Sequence, residues 1–332
     1  MTKVLVSGCN GFIGSYICEE LLKHDYNVFG FDNNSKYKFP NIDFHSNNNF
    51  CFNNLDLIND YPILKFWMQK IKPDIIIHCA AKIGGIKYFH ENAFDLIRDN
   101  AIMDSNILDL AIKCEVNKFV GLSSSMVYEN ATVYPTPEEH LKVCPPPSST
   151  YGFSKLSLEY KIKGAYEQYK LPYIIIRPFN AVGPNENDFM EGKQSHVLPD
   201  LIVKCLNKQN PLHILGNGTQ TRCFTNGKDI ARGIRLAIES DVINEDFNIS
   251  NSESTTVLKL ASKIWDKINK DILLSGFVCD AALQYDVQMR IPDVSKAKKL
   301  LNFETEISLD ESIDETVEYI TKYINLKNVQ GV

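Results

Sequence analysis

The sequence predicts an α/β protein: a doubly wound parallel sheet followed by a smaller C-terminal α/β lobe. Three observations predict it. Short runs apolar on both faces recur at 3–7, 74–81, 118–122 and 173–177 between stretches of helical spacing, as strands covered on both sides require. The first run leads straight into a glycine-rich turn, Gly8-Cys9-Asn10-Gly11-Phe12-Ile13-Gly14, and then into a helical pattern over 15–23. Past Val182 the character changes, and a polar loop at 183–195 opens a region of shorter, mixed elements. The expected division is 1–182 for the sheet domain and 183–332 for the lobe, with a part near 222–250 returning a strand to the main sheet.

At 332 residues the chain can bury a large core in two lobes. A hydrophobic content of 44% and a charged content of 23% are those of an ordinary globular protein. No apolar run reaches membrane-spanning length, and the first strand starts within three residues, so no signal peptide and a cytoplasmic location are expected. The net charge of −6 without a basic cluster argues against nucleic acid as a partner. Nine cysteines without C-x-x-C spacing suit a reducing compartment, and neither a disulfide framework nor a metal site is expected.

In chain order, strand, glycine turn and helix N-terminus make the arrangement whose exposed N–H groups and positive dipole hold a pyrophosphate, so the whole Gly8 to Gly14 turn is assigned to a dinucleotide. The spacing is G-x-x-G-x-x-G, not the G-x-G-x-x-G of many dehydrogenases. A second strand at 27–31 ends at Asp32, eighteen residues past Gly14. A carboxylate there accepts hydrogen bonds from the adenosine ribose and repels a 2′-phosphate, which favours NAD over NADP. Together these features specify a Rossmann-type domain, with Asn33 beside the ribose. Asp56 either touches the adenine edge or merely ends a strand in a turn.

The run 74–81 reads as a central strand whose small end residues, Ala80 and Ala81, permit close approach of the cofactor. Lys82 and Gly84 follow in a turn that continues through Gly85 and Ile86, and 92–114 reads as a long helix containing Asn100. The strand at 118–122 delivers Ser123-Ser124-Ser125-Met126 to the carboxyl edge of the sheet, where ligands bind in open α/β folds. A serine triplet can also merely turn the chain.

After an irregular connection ending in Pro145-Pro146-Pro147 comes Tyr151-Gly152-Phe153-Ser154-Lys155. Residues four apart stack on one helix face, so the Lys155 ammonium is expected beside the Tyr151 phenol, favouring its ionised form. By itself Y-x-x-x-K is also a common surface pair. The strand at 173–177 then leads to Pro178, Phe179 and Asn180.

Taken together, the turn Gly8 to Gly14, Asp32, Ala80-Ala81, Ser124, Tyr151 with Lys155, Arg177-Pro178-Phe179-Asn180, and Gly216-Asn217-Gly218 leading to Arg222 closely resemble the extended short-chain dehydrogenase/reductase family, the nucleotide-sugar epimerases and dehydratases. The resemblance runs from Val4 to about Phe303. It implies Tyr151 as base, Lys155 on the nicotinamide ribose, and Ser124 on the reacting sugar oxygen. It also implies cofactor contacts from Ala80, Ala81, Lys82, Asn100 and Pro178, and substrate contacts from Gly84, Ser125, Met126, Asn180, Val197, Arg222 and Arg290. For each arginine, a plain surface residue is the alternative.

Subfamilies differ after Ser124. Dehydratases carry an acidic pair there and decarboxylases a glutamate, whereas this chain has Ser125 and Met126, neither able to shuttle a proton. GDP-fucose synthases and GDP-mannose 3,5-epimerases place a cysteine at Met126. The stretches 80–86 and 195–199 nevertheless look more like GDP-fucose synthase than like simple UDP-galactose 4-epimerases. In those synthases the residue matching His196 is an acid; here it is either that or a pocket residue on a sugar hydroxyl.

The function implied is an NAD-dependent nucleotide-sugar epimerase working through a transient keto-sugar, at C4, in a cytoplasmic homodimer formed by the helices near 95–113 and 151–169. The alternatives are a GDP-fucose-synthase-like epimerase/reductase using NAD(P)H, a non-catalytic NAD or nucleotide-sugar binding protein, and, more distantly, a 4,6-dehydratase. The nucleotide carrier stays open.

Overall fold

The computed structural model describes the chain apart from residues 37–42, 85–87, 89–90, 187–195, 283–286 and 331–332, and apart from the side chains of 43 and 326–330. The expected turn through Gly85 and Ile86 and most of the polar loop at 183–195 lie outside the described residues. Strands are β1 (Lys3–Ser7), β2 (Asn27–Asp32), β3 (Phe50–Asn54), β4 (Ile75–His78), β5 (Lys118–Leu122), β6 (Tyr173–Pro178) and β7 (Ala181–Val182). They continue as β8 (Leu212–Leu215), β9 (Thr221–Cys223), β10 (Thr225–Asn226), β11 (Glu245–Ile249), β12 (Ser254–Thr256), β13 (Phe277–Asp280) and β14 (Met289–Arg290).

Seven strands form the main sheet in the order β11-β6-β5-β4-β1-β2-β3, and every pairing in it is parallel. The strand order reverses between β1 and β4, so a crevice opens outside their carboxyl ends.

Period-two alternation explains why these strands read as continuous apolar runs. Val4 and Val6 of β1, Ile75 and Ile77 of β4, and Ile174 and Ile176 of β6 enter one core with Tyr16, Ile17 and Leu21. Leu5, Ile76 and Ile175 enter the other, with Leu64, Met68, Ile107, Leu158 and Ile162. Helices Phe12–Lys23 and Gly227–Glu239 therefore cover one face, and helices Tyr61–Ile71, Ala93–Lys113 and Thr150–Tyr169 the other.

A third core, with Leu198, Ile202, Leu212, Ile214, Leu260, Ile264, Trp265 and Ile313, holds the C-terminal part. The parallel pair β13-β8 packs in it, and the same part of the chain forms a three-stranded sheet β12-β9-β14. The chain does not stay in that part once it has entered it. Ile230, Ile234 and Phe247, and later Ala297, Leu301 and Phe303, pack in the first core of the main sheet. Residues on both sides of 182 thus share the sheet, and the return extends beyond the expected stretch near 222–250. Among the described residues no helix is long and apolar enough to cross a membrane.

Candidate active site

The glycine turn after β1 is shaped by two close approaches. Gly8 has φ +71, and a Cβ on it would lie 2.7 Å from the Ala80 nitrogen. On Gly14 it would lie 1.9 Å from the Gly8 carbonyl oxygen, so the turn closes only with hydrogen there. The following helix starts at Gly11 with no side-chain cap and no acidic residue in its first turn, which leaves its end suited to an anion. A dinucleotide pyrophosphate fits this cradle, presented by Gly11, Phe12, Ile13 and Gly14.

Asp32 sits at the tip of β2, accepting the Asn34 N–H at 2.8 Å and the Asn10 N–H at 3.1 Å. Burial pushes its carboxyl up, and those N–H bonds pull it back. Asn10 is held by Asn34 at 2.7 Å and paired with His45 Nε2 at 2.8 Å. Asp56 accepts the Ile58 N–H at 2.8 Å and the amides of Asn33 at 3.3 Å and Asn59 at 3.2 Å. Burial raises its carboxyl, but these bonds bring it below the usual range. The turn-forming role of Asp56 is thus present in its geometry, with Asn33 tied to it.

Next along the crevice, Asn100 reaches from its helix to the chain after β4. Its Oδ1 accepts the Lys82 N–H at 2.7 Å, and its Nδ2 donates to the Lys82 carbonyl at 3.2 Å and to Ser154 Oγ at 3.3 Å. The Lys82 ammonium is ion-paired with Asp99. Ala80 and Ala81 are half-buried at the β4 tip, and the Ala80 N–H points to Ser7 Oγ at 3.4 Å. Gly84 lies against Tyr88, which packs with Ile83 on a small cluster of Leu96, Met126 and Tyr151.

Ser124 follows the β5 tip and caps a short 3-10 turn, Ser125–Tyr128, through the Met126 N–H at 3.1 Å. Ser125 and Met126 are buried. Ser149 caps the Thr150–Tyr169 helix through the Gly152 N–H at 3.1 Å, which fixes Tyr151 in the first turn. The Tyr151 side chain is hydrogen-bonded to Ser124 and almost fully buried. Burial pushes the phenol up to about 12, against which the Ser124 bond and the charge of Arg290 pull it down.

The Lys155 ammonium is anchored on the strand tip that precedes Ser124. It donates to the Leu122 carbonyl at 2.8 Å, and burial draws its pKa down, with Asp104 opposing. On the phenol itself, the charge that favours ionisation comes from Arg290.

The opposite wall comes from the C-terminal part. Parallel pairing of β14 with β9 sets Arg290 beside Arg222, and Arg222 donates to the carbonyls of Thr221 at 3.0 Å and Gln288 at 3.3 Å. Asn180 adopts a positive φ of 37 and donates to the Cys223 carbonyl at 3.1 Å. Pro178, just before, pairs with Ile249 of β11. His196, exposed, precedes the Val197–Leu206 helix, with its ring paired to the buried Glu186 carboxylate. Two arginines at paired strand positions suit a diphosphate, and a phenol bonded to a serine in an apolar pocket suits proton transfer at a carbinol.

Sequence reasoning assigned no role to the polar residues beneath this site. Glu159 and Arg177, both fully buried, form a double hydrogen bond at 2.8 Å each. The signal was available: Tyr151, Lys155 and Glu159 are spaced by fours, which puts three polar side chains on one helix face.

Residues 4–250 match the model of the NAD dependent epimerase/dehydratase family. A UDP-glucuronate 4-epimerase of Thermodesulfobacterium geofontis is 30% identical, with 97% of each chain covered. Among solved structures, a UDP-glucose 4-epimerase of Thermotoga maritima with UDP-glucose is 30% identical with a TM-score of 0.87, covering 97% of this chain and 100% of that one. A UDP-glucuronic acid 4-epimerase of Bacillus cereus in complex with UDP-glucuronic acid and NAD is 27% identical with a TM-score of 0.83, again covering 97% and 100%.

Proposed function

This chain belongs to the NAD dependent epimerase/dehydratase family and is an NAD-dependent nucleotide-sugar epimerase, and within that class we propose that it inverts C4 of a UDP-hexose. The observation that carries the reading is the buried Tyr151 phenol bonded to Ser124 and facing the charge of Arg290. The UDP carrier is supported by the relatives, whose names specify UDP-glucuronate and UDP-glucose.

In this reading Tyr151, ionised, takes the proton from the C4 hydroxyl, and Ser124 holds the same oxygen as charge develops on it. NAD, when bound along the Gly8 to Gly14 turn and Asp32, supplies the chemistry of reversible hydride acceptance at C4. Arg222 and Arg290 hold the diphosphate while Met126, Ile83 and Tyr88 offer the sugar an apolar wall. Such a wall makes few directional bonds, so the keto-sugar can turn its other face to Tyr151, which then returns the proton. Lys82 and Asn100 order the chain along the cofactor, and His196 with Asn180 lines the sugar and diphosphate end.

Met126 stands where an acid would be needed for elimination or decarboxylation, which supports epimerisation over both. Incubation with UDP-glucose, UDP-glucuronate and UDP-N-acetylglucosamine, followed by proton NMR of the anomeric signals, is expected to reveal interconversion with the C4 epimer of at least one. Net consumption of NADH with no epimer formed would sink the reading in favour of a reductase.

Two companion proposals concern the whole molecule. Nine free cysteines support a reducing, cytoplasmic location. Exposed Phe94, Phe153 and Tyr160 on the outer faces of the helices Ala93–Lys113 and Thr150–Tyr169 support a homodimer through those helices. A single-chain mass in sedimentation equilibrium would remove the second.

A further inference from the structure

We propose that Glu159 is a positioning residue that sets the Ser124–Tyr151 contact by gripping Ser123. The proposal rests on the reading of Tyr151 as the base.

Tyr151, Lys155 and Glu159 lie on one face of the Thr150–Tyr169 helix, and the lower two both reach the strand tip that precedes Ser124. Lys155 Nζ donates to the Leu122 carbonyl at 2.8 Å, and Ser123 Oγ donates to Glu159 Oε1 at 2.6 Å. Two consecutive residues ahead of Ser124 are therefore tied to the helix that carries the phenol. The Ser123 N–H is held by the Ile176 carbonyl at 2.8 Å, which leaves its hydroxyl as the link to the helix.

The far end of the same segment is tied to the same charge pair. Arg177 donates through Nε and Nη2 to the two oxygens of Glu159, and through Nη1 to the Tyr128 hydroxyl at 2.5 Å. Tyr128 in turn donates to Asn248 Oδ1 at 3.2 Å and stacks on Phe179. The Arg177 guanidinium also donates to Asp246 at 2.6 Å, and Asp246 accepts Lys296 at 2.8 Å. Ser123 and Tyr128 bracket Ser124, Ser125 and Met126, so both ends of the segment facing the sugar rest on Glu159 and Arg177.

A buried ion pair contributes little net stability once its desolvation is counted, whereas its fixed geometry can specify a unique arrangement. Here the geometry fixed is that of a serine against a tyrosine. A hydrogen bond between them favours the ionised phenol only while the two stay in register.

Ser123→Ala removes the grip and leaves the Arg177–Glu159 pair intact, so the fold is expected to survive. The measurement is a pH titration of the Tyr151 ¹³Cζ NMR signal in NAD-loaded protein, assigned by its loss in Tyr151→Phe. In Ser123→Ala the midpoint is expected to rise by roughly 0.5–1 in pH, the size of one neutral hydrogen bond. Ser123→Thr, which keeps the hydroxyl, is expected to restore it. An unshifted midpoint in Ser123→Ala overturns the proposal. Since the titration needs no turnover, that outcome would leave the epimerase reading standing, whereas a wild-type protein without epimerase activity would remove the function and leave the coupling measurable.

Discussion

Tyr151→Phe is expected to lower kcat by about 10²–10⁴-fold, the range for loss of a positioned general base, with UDP-sugar affinity nearly unchanged. The ring that packs with Leu96 and Met126 is retained in this variant, so the pocket keeps its shape. Only the group that takes the proton is gone. The pH dependence has a definite sign. Burial pushes the phenol up to about 12, and Ser124 and Arg290 pull it down. A base works deprotonated, so kcat of the wild type should climb as pH rises through neutrality, whereas residual turnover in Tyr151→Phe should lose that slope. Steady-state kinetics across pH with calorimetric binding checks both parts.

Gly14→Ala should have an effect of similar size for a different reason. The added methyl would lie 1.9 Å from the Gly8 oxygen and 2.8 Å from the Gly8 carbon, so the obstacle is backbone and no side chain can swing away. The turn itself must open. Strain of about 1–3 kcal/mol falls on the segment that holds the pyrophosphate, and NAD affinity is expected to drop about a hundredfold. Gly11→Ala is the comparison: its Cβ would stand 3.1 Å from the same oxygen, which a small shift relieves. Mass spectrometry of nucleotide released from each purified variant would register the contrast, and equal NAD content in Gly14→Ala and wild type would contradict it.

The parts of this molecule that a sequence displays are those where pattern and environment agree. Strand β4 carries three isoleucines in a row because both of its faces are covered, and no other common environment asks for that run. The glycine turn is equally plain, because its spacing answers a local steric demand. Strand β3, Phe50–Asn54, is different: it lies at the sheet edge and stays partly exposed, so its residues carry no run to mark it. The return of 227–249 to the main sheet was legible as a late strand, whereas that of 295–303 is a long-range event, fixed by where Ala297, Leu301 and Phe303 find a core.

The candidate site divides along the same line. Tyr151, Ser124 and Asp32 stand at element ends whose positions follow from local signals: a capping serine, a strand tip, a turn. The direction of the Lys155 ammonium does not follow from helix spacing, because the Leu122 carbonyl that receives it belongs to another element. The pairing of Glu159 with Arg177, a residue of the family motif, is not legible for a related reason. Polar residues on a buried helix face break the apolar periodicity by which a helix is read, and their partners come from β6, β11 and the turn after β5.

The account stands on reversible oxidation at C4 of the sugar. Its most direct test is to supply the substrate with deuterium at C4, carry the reaction to equilibrium in ordinary water, and locate the label by mass spectrometry and NMR. Both C4 epimers should keep the deuterium at C4, and neither should incorporate solvent protons on carbon. Deuterium lost from C4 to solvent, or solvent hydrogen taken up at C3 or C5, would contradict it and point to proton chemistry on an enediolate.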